Sequence, residues 1–195
     1  MSLKRSFDIA VAGAGLVLGA PIVLPVAVTM AFITKSSPLF VQERIGQHGK
    51  PFKIFKIKTM RDAFNDAGEP LPDEQRVSRV GAFLRKTRLD EIPQFFNVLK
   101  GDMSLVGPRP IRAIWETAAD PVRQSVKPGL TGLYQISGAN GLTREEMVAL
   151  DHAYIDTMRE KGAVKGLFYD IGIFLKTPLA LVKHRSAPHH RVPPP

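Results

Sequence analysis

At 195 residues the chain is long enough for one domain with a real core and too short for two ordinary ones, and with no cysteine it has neither a disulfide framework nor a thiolate metal site. Its 27 lysines and arginines outnumber 18 acids to give a net charge of +9, which calls for a polyanionic partner: nucleic acid, anionic lipid or a phosphorylated substrate. Aromatic residues make up only 8% and no recognition helix or base-stacking motif stands out, which argues against nucleic acid.

From Ile9 to Thr34 no side chain is charged, and at about 1.5 Å per residue such a helix can cross a hydrocarbon core of roughly 30 Å. The run is too long for a signal peptide and no small-x-small cleavage site closes it. Two features oppose a simple span. Pro21 and Pro25 each remove a helical hydrogen bond in mid-run. The flanks are basic on both sides, Lys4 and Arg5 before and Lys35, Arg44, Lys50 and Lys53 after, so both ends prefer the cytoplasmic face. A helix that breaks at Pro21 and returns to the same leaflet meets both constraints; a kinked span remains the alternative at this level.

Leu39 to Arg44 and Phe52 to Thr59 are β-prone runs around Gly46-Gln-His-Gly49 and predict a hairpin, with Lys56 and Lys58 on one strand face. Residues 62–76, rich in Asp, Glu, Gly and Pro, predict an exposed loop. Val80, Phe83 and Leu84 restore helical spacing over residues 77–87 and carry Arg85 toward the next segment.

That segment is the centre of the chain. Ile92, Phe95, Phe96 and Leu99 recur on one helical face, and Pro93 is tolerated only in a first turn, so Asp90 falls at or near a helix N-terminus. On helix rules alone Asp90 is an N-cap and Glu91 a first-turn acid. The surroundings point elsewhere: Arg85, Lys86 and Arg88 precede the acids, and Arg109 stands between two prolines after the helix. Acids among cations suit phosphate chemistry, in which a carboxylate attacks a phosphorus whose charge the cations neutralise.

Beyond Pro110 the pattern predicts a short helix through Trp115, then a basic loop at Lys127-Pro-Gly-Leu-Thr-Gly132. Thr143-Arg-Glu-Glu146 is a capping box opening a helix with Met147, Leu150, Tyr154 and Met158 on its apolar face. Asp151 on this helix reads as a surface acid and His152 as structural. Residues 163–182 alternate large apolar residues with Lys165 and Lys176, the make-up of an interfacial helix or of one docked on the core. Four prolines among residues 186–195 predict a flexible tail, in which His189 and His190 carry no functional role.

Three blocks together resemble the bacterial sugar transferases, the monotopic phosphoglycosyl transferases: Phe55-Lys-Ile-Lys-Thr-Met60, the run from Arg88 to Pro110, and Lys127-Pro-Gly-Leu-Thr-Gly-Leu-Tyr-Gln135. With the apolar segment the resemblance covers about residues 3–183. It implies a mixed α/β, helix-rich fold: a re-entrant membrane helix in residues 1–36, a catalytic domain with a short β-hairpin and interfacial amphipathic helices in 37–185, and the tail. One departure is Ala20-Pro21, where the family often has Ser-Pro; the missing hydroxyl leaves the proline to hold the break.

The resemblance further implies transfer of a sugar-1-phosphate from a UDP-sugar to undecaprenyl or another polyprenol phosphate, with release of UMP, on the cytoplasmic face of the bacterial inner membrane. In that scheme Asp90 is the nucleophile and Glu91 assists as acid/base group. Either acid is a ligand for Mg²⁺, Lys56, Arg85 and Arg109 clamp phosphate oxygens, and Asp151 positions the metal or a cation. The implied partners are the donor, the lipid acceptor and the bilayer, not nucleic acid; a homodimer is left open. Two rivals make different predictions: a basic binding module in which Asp90→Asn has no effect, and a nucleotide-sugar hydrolase that releases UMP without lipid.

Overall fold

The computed structural model describes residues 2–112, 120–138 and 141–183. The predicted helix through Trp115 and the proline-rich tail lie outside them.

Helix α1 (Leu3–Thr34) starts at Ser2, whose hydroxyl accepts from the Arg5 N–H, and stops where Lys35 turns left-handed at φ 52°. It stays helical through Pro21 and Pro25. Its first turns are bolted to the body. Lys4 reaches Asp170 at 2.5 Å, and Arg5 donates to the carbonyls of Val98 and Leu99. Asp8 accepts from Ser104 Oγ and the Leu105 N–H. Gly15 and Gly19 let α1 approach closely, since a Cβ there would stand about 3 Å from Phe95 and Ile92. The far end is seated too: Met30 packs with Ile57 and Leu84, and Arg61 Nε donates to the Ile33 carbonyl. Both ends of α1 therefore rest on one body. The outward face carries Val17, Leu18, Leu24 and Phe32, all more than 60% exposed, on a helix long and apolar enough to cross a membrane.

The predicted hairpin forms: β1 (Leu39–Ile45) pairs antiparallel with β2 (Pro51–Ile57) around a 3₁₀ turn at Gln47–Gly49. Phe52 and Ile54 point into the core, so alternation puts Lys56 on that same face. Lys58 lies past the strand and pairs with Asp62 at 2.5 Å. On the free edge of β2 the fully buried Asn97 acts as a strand: its Oδ1 accepts from the Phe55 N–H and its Nδ2 donates to the Lys53 carbonyl. One side chain thus ties the hairpin to the central helix.

The stretch 62–76 is largely exposed as expected, except that Asp73–Arg76 make one helical turn, α2. Helix α3 (Arg79–Thr87) is capped by Ser78 and passes so close to Thr59 that a Cβ on Gly81 would lie 2.0 Å from its carbonyl oxygen. Arg88, left-handed at φ 60°, ends it and leads through a 3₁₀ turn at Leu89–Glu91 into α4 (Gln94–Lys100), which Gly101 terminates at φ 96°.

The loop expected at 127–132 is instead a strand over Gly129–Thr131. Here β3 (Ser104–Val106) and that strand, β4, form a buried two-stranded parallel sheet. Glycines make the pairing possible, for a Cβ on Gly129 would fall 2.1 Å from the Gly107 nitrogen. Between these strands lies α5 (Pro121–Gln124), and α6 (Leu133–Ile136) follows them. Last comes α7 (Arg144–Lys183), opened by the predicted capping box: Thr143 Oγ1 accepts from the Glu146 N–H, and Glu146 Oε2 from the Thr143 N–H. Gly162, at φ 64°, divides α7 into the two expected helical segments. Val98, Met103, Leu105, Tyr154, Ile155 and Ile173 make the centre of one core.

Candidate active site

The 3₁₀ turn between α3 and α4 presents Asp90 and Glu91 side by side. Asp90 precedes the first residue of α4, Gln94, by a full turn, and Pro93 occupies the N-cap position, so the acids are not caps of that helix. Asp90 is 8% exposed, and its Oδ1 is buried with no hydrogen-bond partner. Glu91 Oε1 meets Lys56 Nζ at 2.6 Å and an Arg88 guanidinium nitrogen at 3.2 Å.

These neighbourhoods push the carboxyls apart. Burial and the charge of Glu91 raise Asp90 to about 6 against the pull of Lys56, Arg88 and Arg85. Burial would raise Glu91 too, but Lys56, Arg88 and Arg109 outweigh it and hold that carboxyl down to about 2. Glu91 is the fixed counter-ion of the cations; Asp90 is the unsatisfied group.

Beside Glu91 is a small polar pocket lined by Lys56, Glu91 and Arg109, and also by Arg44, Gln94 and Gln135. Burial and the proximity of Arg109 and Arg112 lower Arg44 to about 10, so the pocket holds more positive charge than its own acids neutralise. Arg44 Nε and both polar atoms of the Gln135 amide are buried without partners. Sequence reasoning had Arg44 only as a basic flank. The hairpin register would have found it, since Arg44 faces Phe52 and Phe40 faces Lys56, which places Arg44 and Lys56 on one sheet face.

Arg85 stands apart from the pocket lining. Its guanidinium donates to Thr59 Oγ1 at 2.8 Å and lies near Asp73, reaching Asp90 through its field alone; Arg88 is the arginine on Glu91. Asp151 is not a surface acid: it is 1% exposed and binds Arg123 at 2.8 Å. Burial raises its carboxyl to about 6 despite Arg123 and a hydrogen bond from the Arg109 backbone. Arg123 in turn donates to the Arg109 carbonyl at 2.9 Å. The pair thus grips the Arg109 backbone on both sides, and the cation that Asp151 holds is a protein one. His152 pairs with Asp120 at 2.8 Å, away from the acids.

Among the described residues no group of three His, Cys, Asp or Glu side chains could cage a metal. Mg²⁺ needs no such cage, because one or two carboxylates and substrate phosphates suffice. The orphaned Asp90 oxygen fits that role, whereas Glu91 is already committed to cations.

The bacterial sugar transferase pattern matches residues 1–184. The chain is 42% identical to the uncharacterized sugar transferase EpsL of Bacillus subtilis (strain 168), over 80% of this chain and 79% of that protein. Identity to the exopolysaccharide production protein ExoY of Rhizobium meliloti (strain 1021) is 36%, over 94% and 87%. A UDP-glucose:undecaprenyl-phosphate glucose-1-phosphate transferase of Klebsiella pneumoniae is 41% identical over 80% of this chain, which covers only 36% of that longer protein. Matched along nearly its whole length, with its acids set among cations as phosphate chemistry requires, the chain belongs to the bacterial sugar transferase family.

Proposed function

We propose that this protein is a phosphoglycosyl transferase that moves a sugar-1-phosphate from a UDP-sugar to a polyprenol phosphate such as undecaprenyl phosphate and releases UMP. The observation that carries the reading is the buried, unpartnered Oδ1 of Asp90 next to Glu91, which itself lines a pocket walled by Lys56, Arg44 and Arg109.

In the first step an Asp90 carboxylate oxygen attacks the sugar-linked phosphorus. A phosphorus–oxygen bond to Asp90 forms, the diphosphate bridge breaks, and UMP leaves with the bond's electrons on its phosphate oxygen. In the second, a phosphate oxygen of the acceptor attacks the same phosphorus and frees the carboxylate, giving the polyprenyl-diphosphate sugar. Lys56 and Arg109 hold the transferring oxygens, with Arg109 kept in place by Asp151 and Arg123. Glu91 fixes Lys56 and Arg88. Mg²⁺ held by Asp90 would supply charge neutralisation at the diphosphate.

The attachment of both ends of α1 to one body supports a re-entrant element that enters and leaves one leaflet of the inner membrane, with the site at the cytoplasmic face. A helix crossing the bilayer would carry one of those ends away from the body.

The test is UMP release by purified protein in detergent with Mg²⁺ and a panel of UDP-sugars, with and without undecaprenyl phosphate, comparing wild type with Asp90→Asn. Lipid-dependent turnover that the substitution abolishes is the expected result. Sustained release without lipid would make the protein a hydrolase, and an active Asp90→Asn would end the covalent mechanism.

A further inference from the structure

Between α1 and the acid turn lies a cavity of about 380 Å³, within the roughly 300–1,000 Å³ of small-molecule sites. Its walls are apolar throughout: Ala20, Val23 and Leu24 of the membrane helix on one side, Phe55, Ile92 and Phe96 among those on the other. Phe55 and Phe96 meet edge to face at 5.9 Å and stiffen the inner wall.

The cavity shares its wall with the polar pocket. Ile92 directly follows Glu91, and on β2 Phe55 and Lys56 are neighbours that alternation sends to opposite faces. An anion-binding pole and a hydrocarbon-binding pole are thus separated by one strand and one turn. On its open side the cavity runs out along Leu24, 64% exposed, onto the apolar face of α1.

We infer that this cavity binds the first isoprene units of the polyprenyl phosphate acceptor, holding its phosphate against the Asp90 side of the turn. The inference rests on the transferase reading above. The occupant follows from where hydrocarbon begins. In a polyprenyl phosphate it starts at the phosphate ester oxygen, so apolar walls can begin at the edge of the cationic pocket. A diacyl phospholipid places glycerol and two ester carbonyls there, and the lining offers them no hydrogen-bonding side chain. The cavity is too small for a long chain; the distal units pass along α1 into the bilayer.

The test uses the full-length protein with Mg²⁺ and UDP-glucose, UDP-galactose or UDP-N-acetylgalactosamine labelled at the sugar-linked phosphate. Acceptors are geranyl, farnesyl and undecaprenyl phosphates. Acceptor KM is expected to fall over the first few isoprene units and then level off. Ala20→Phe, which fills the cavity, should raise KM for farnesyl phosphate at least tenfold while the labelled aspartyl adduct forms at the wild-type rate. A farnesyl phosphate with a diazirine on its second isoprene should label wild type at Phe55, Phe96 or residues 16–24, with undecaprenyl phosphate competing and phosphatidic acid not. Unchanged acceptor KM in folded Ala20→Phe overturns the site, as does equal competition by phosphatidic acid, or labelling confined to α7. Should that variant not fold, wild-type labelling and the chain-length series decide. If adduct forms and these outcomes fail, the cavity is wrong and the transferase stands; if wild type forms no adduct with any donor, both fall.

Discussion

Glu91 is gripped by Lys56 at 2.6 Å, and this ion pair sets the character of the neighbouring carboxyl. By engaging Lys56 and Arg88, Glu91 keeps its own negative charge at all ordinary pH and withholds part of both cations from Asp90. Asp90 is left buried and short of partners.

Lys56→Met should therefore act mainly on chemistry. It removes a cation from the pocket wall and frees Glu91 to return toward the ordinary carboxylate range, with Arg88 still bound. Loss of one preorganised electrostatic contact lowers the rate by about 10²–10³-fold. Single-turnover formation of labelled adduct measures this, and Lys56→Arg should recover only part, because a planar fork does not replace a point charge.

Arg123→Ala and Asp151→Asn should act through structure. Arg123→Ala leaves the buried Asp151 uncompensated, which costs about 3–5 kcal/mol, whereas Asp151→Asn also relieves a carboxylate that burial already disfavours and costs less. Each also releases one side of the Arg109 backbone, so KM for the donor should rise in whatever fraction stays folded. In thermal melts the double variant should lose less than the sum of the singles, as expected of directly contacting residues.

The helix-rich α/β fold, the hairpin and the capping box were legible because each rests on local pattern: strand alternation around a Gly-bounded turn, and Thr143 facing Glu146 across one helical turn. The acids were legible for the same reason, as a charged pair just before an amphipathic helix. The β3–β4 pairing was not, because its strands are three residues each and its determinants are glycines that meet only in space. Asp151 and Arg123, 28 residues apart, likewise find each other through tertiary packing, and nothing local marks Asp151 as buried. Arg44 and Gln135 are intermediate cases. Arg44 could have been placed by carrying the hairpin register one step further, whereas Gln135 needed the structure.

Gly129→Ala should be among the most damaging single-methyl changes. The new Cβ would lie 2.1 Å from the Gly107 nitrogen and 2.3 Å from the Thr131 carbonyl oxygen, both backbone atoms of a buried sheet. Overpacking of this kind costs about 3 kcal/mol or more. Gly172→Ala, inside α7 with nothing within 4 Å of its Cβ, is the matched control and should hold or raise the melting temperature by a few degrees, since Ala exceeds Gly in a helix interior by about 0.5–1 kcal/mol.

Asp90→Asn should stabilise the protein, and only above a definite pH. The Asp90 carboxyl is raised from the usual 3.8 to about 6, chiefly by burial and then by Glu91, so the folded chain holds this proton more tightly than the unfolded chain does. Below about pH 4 the carboxyl is protonated in both states, and wild type and Asp90→Asn should melt together. Between about pH 4 and 6 the unfolded chain ionises first, and wild type loses stability as pH rises. Above about 6 the loss is complete, at most about 3 kcal/mol at 1.36 kcal/mol per pH unit. Asparagine has nearly the same shape and no charge to desolvate, so it escapes this loss. The measurement is a pair of melting curves at pH 4 and pH 8 in a chelator, with each kcal/mol worth about 2–4 °C in a chain of this size. A variant several degrees more stable than wild type at pH 8 and equal to it at pH 4 is expected. Equal melting temperatures at pH 8 would mean that the buried carboxyl costs the fold nothing, and the basis for its reactivity would have to lie elsewhere.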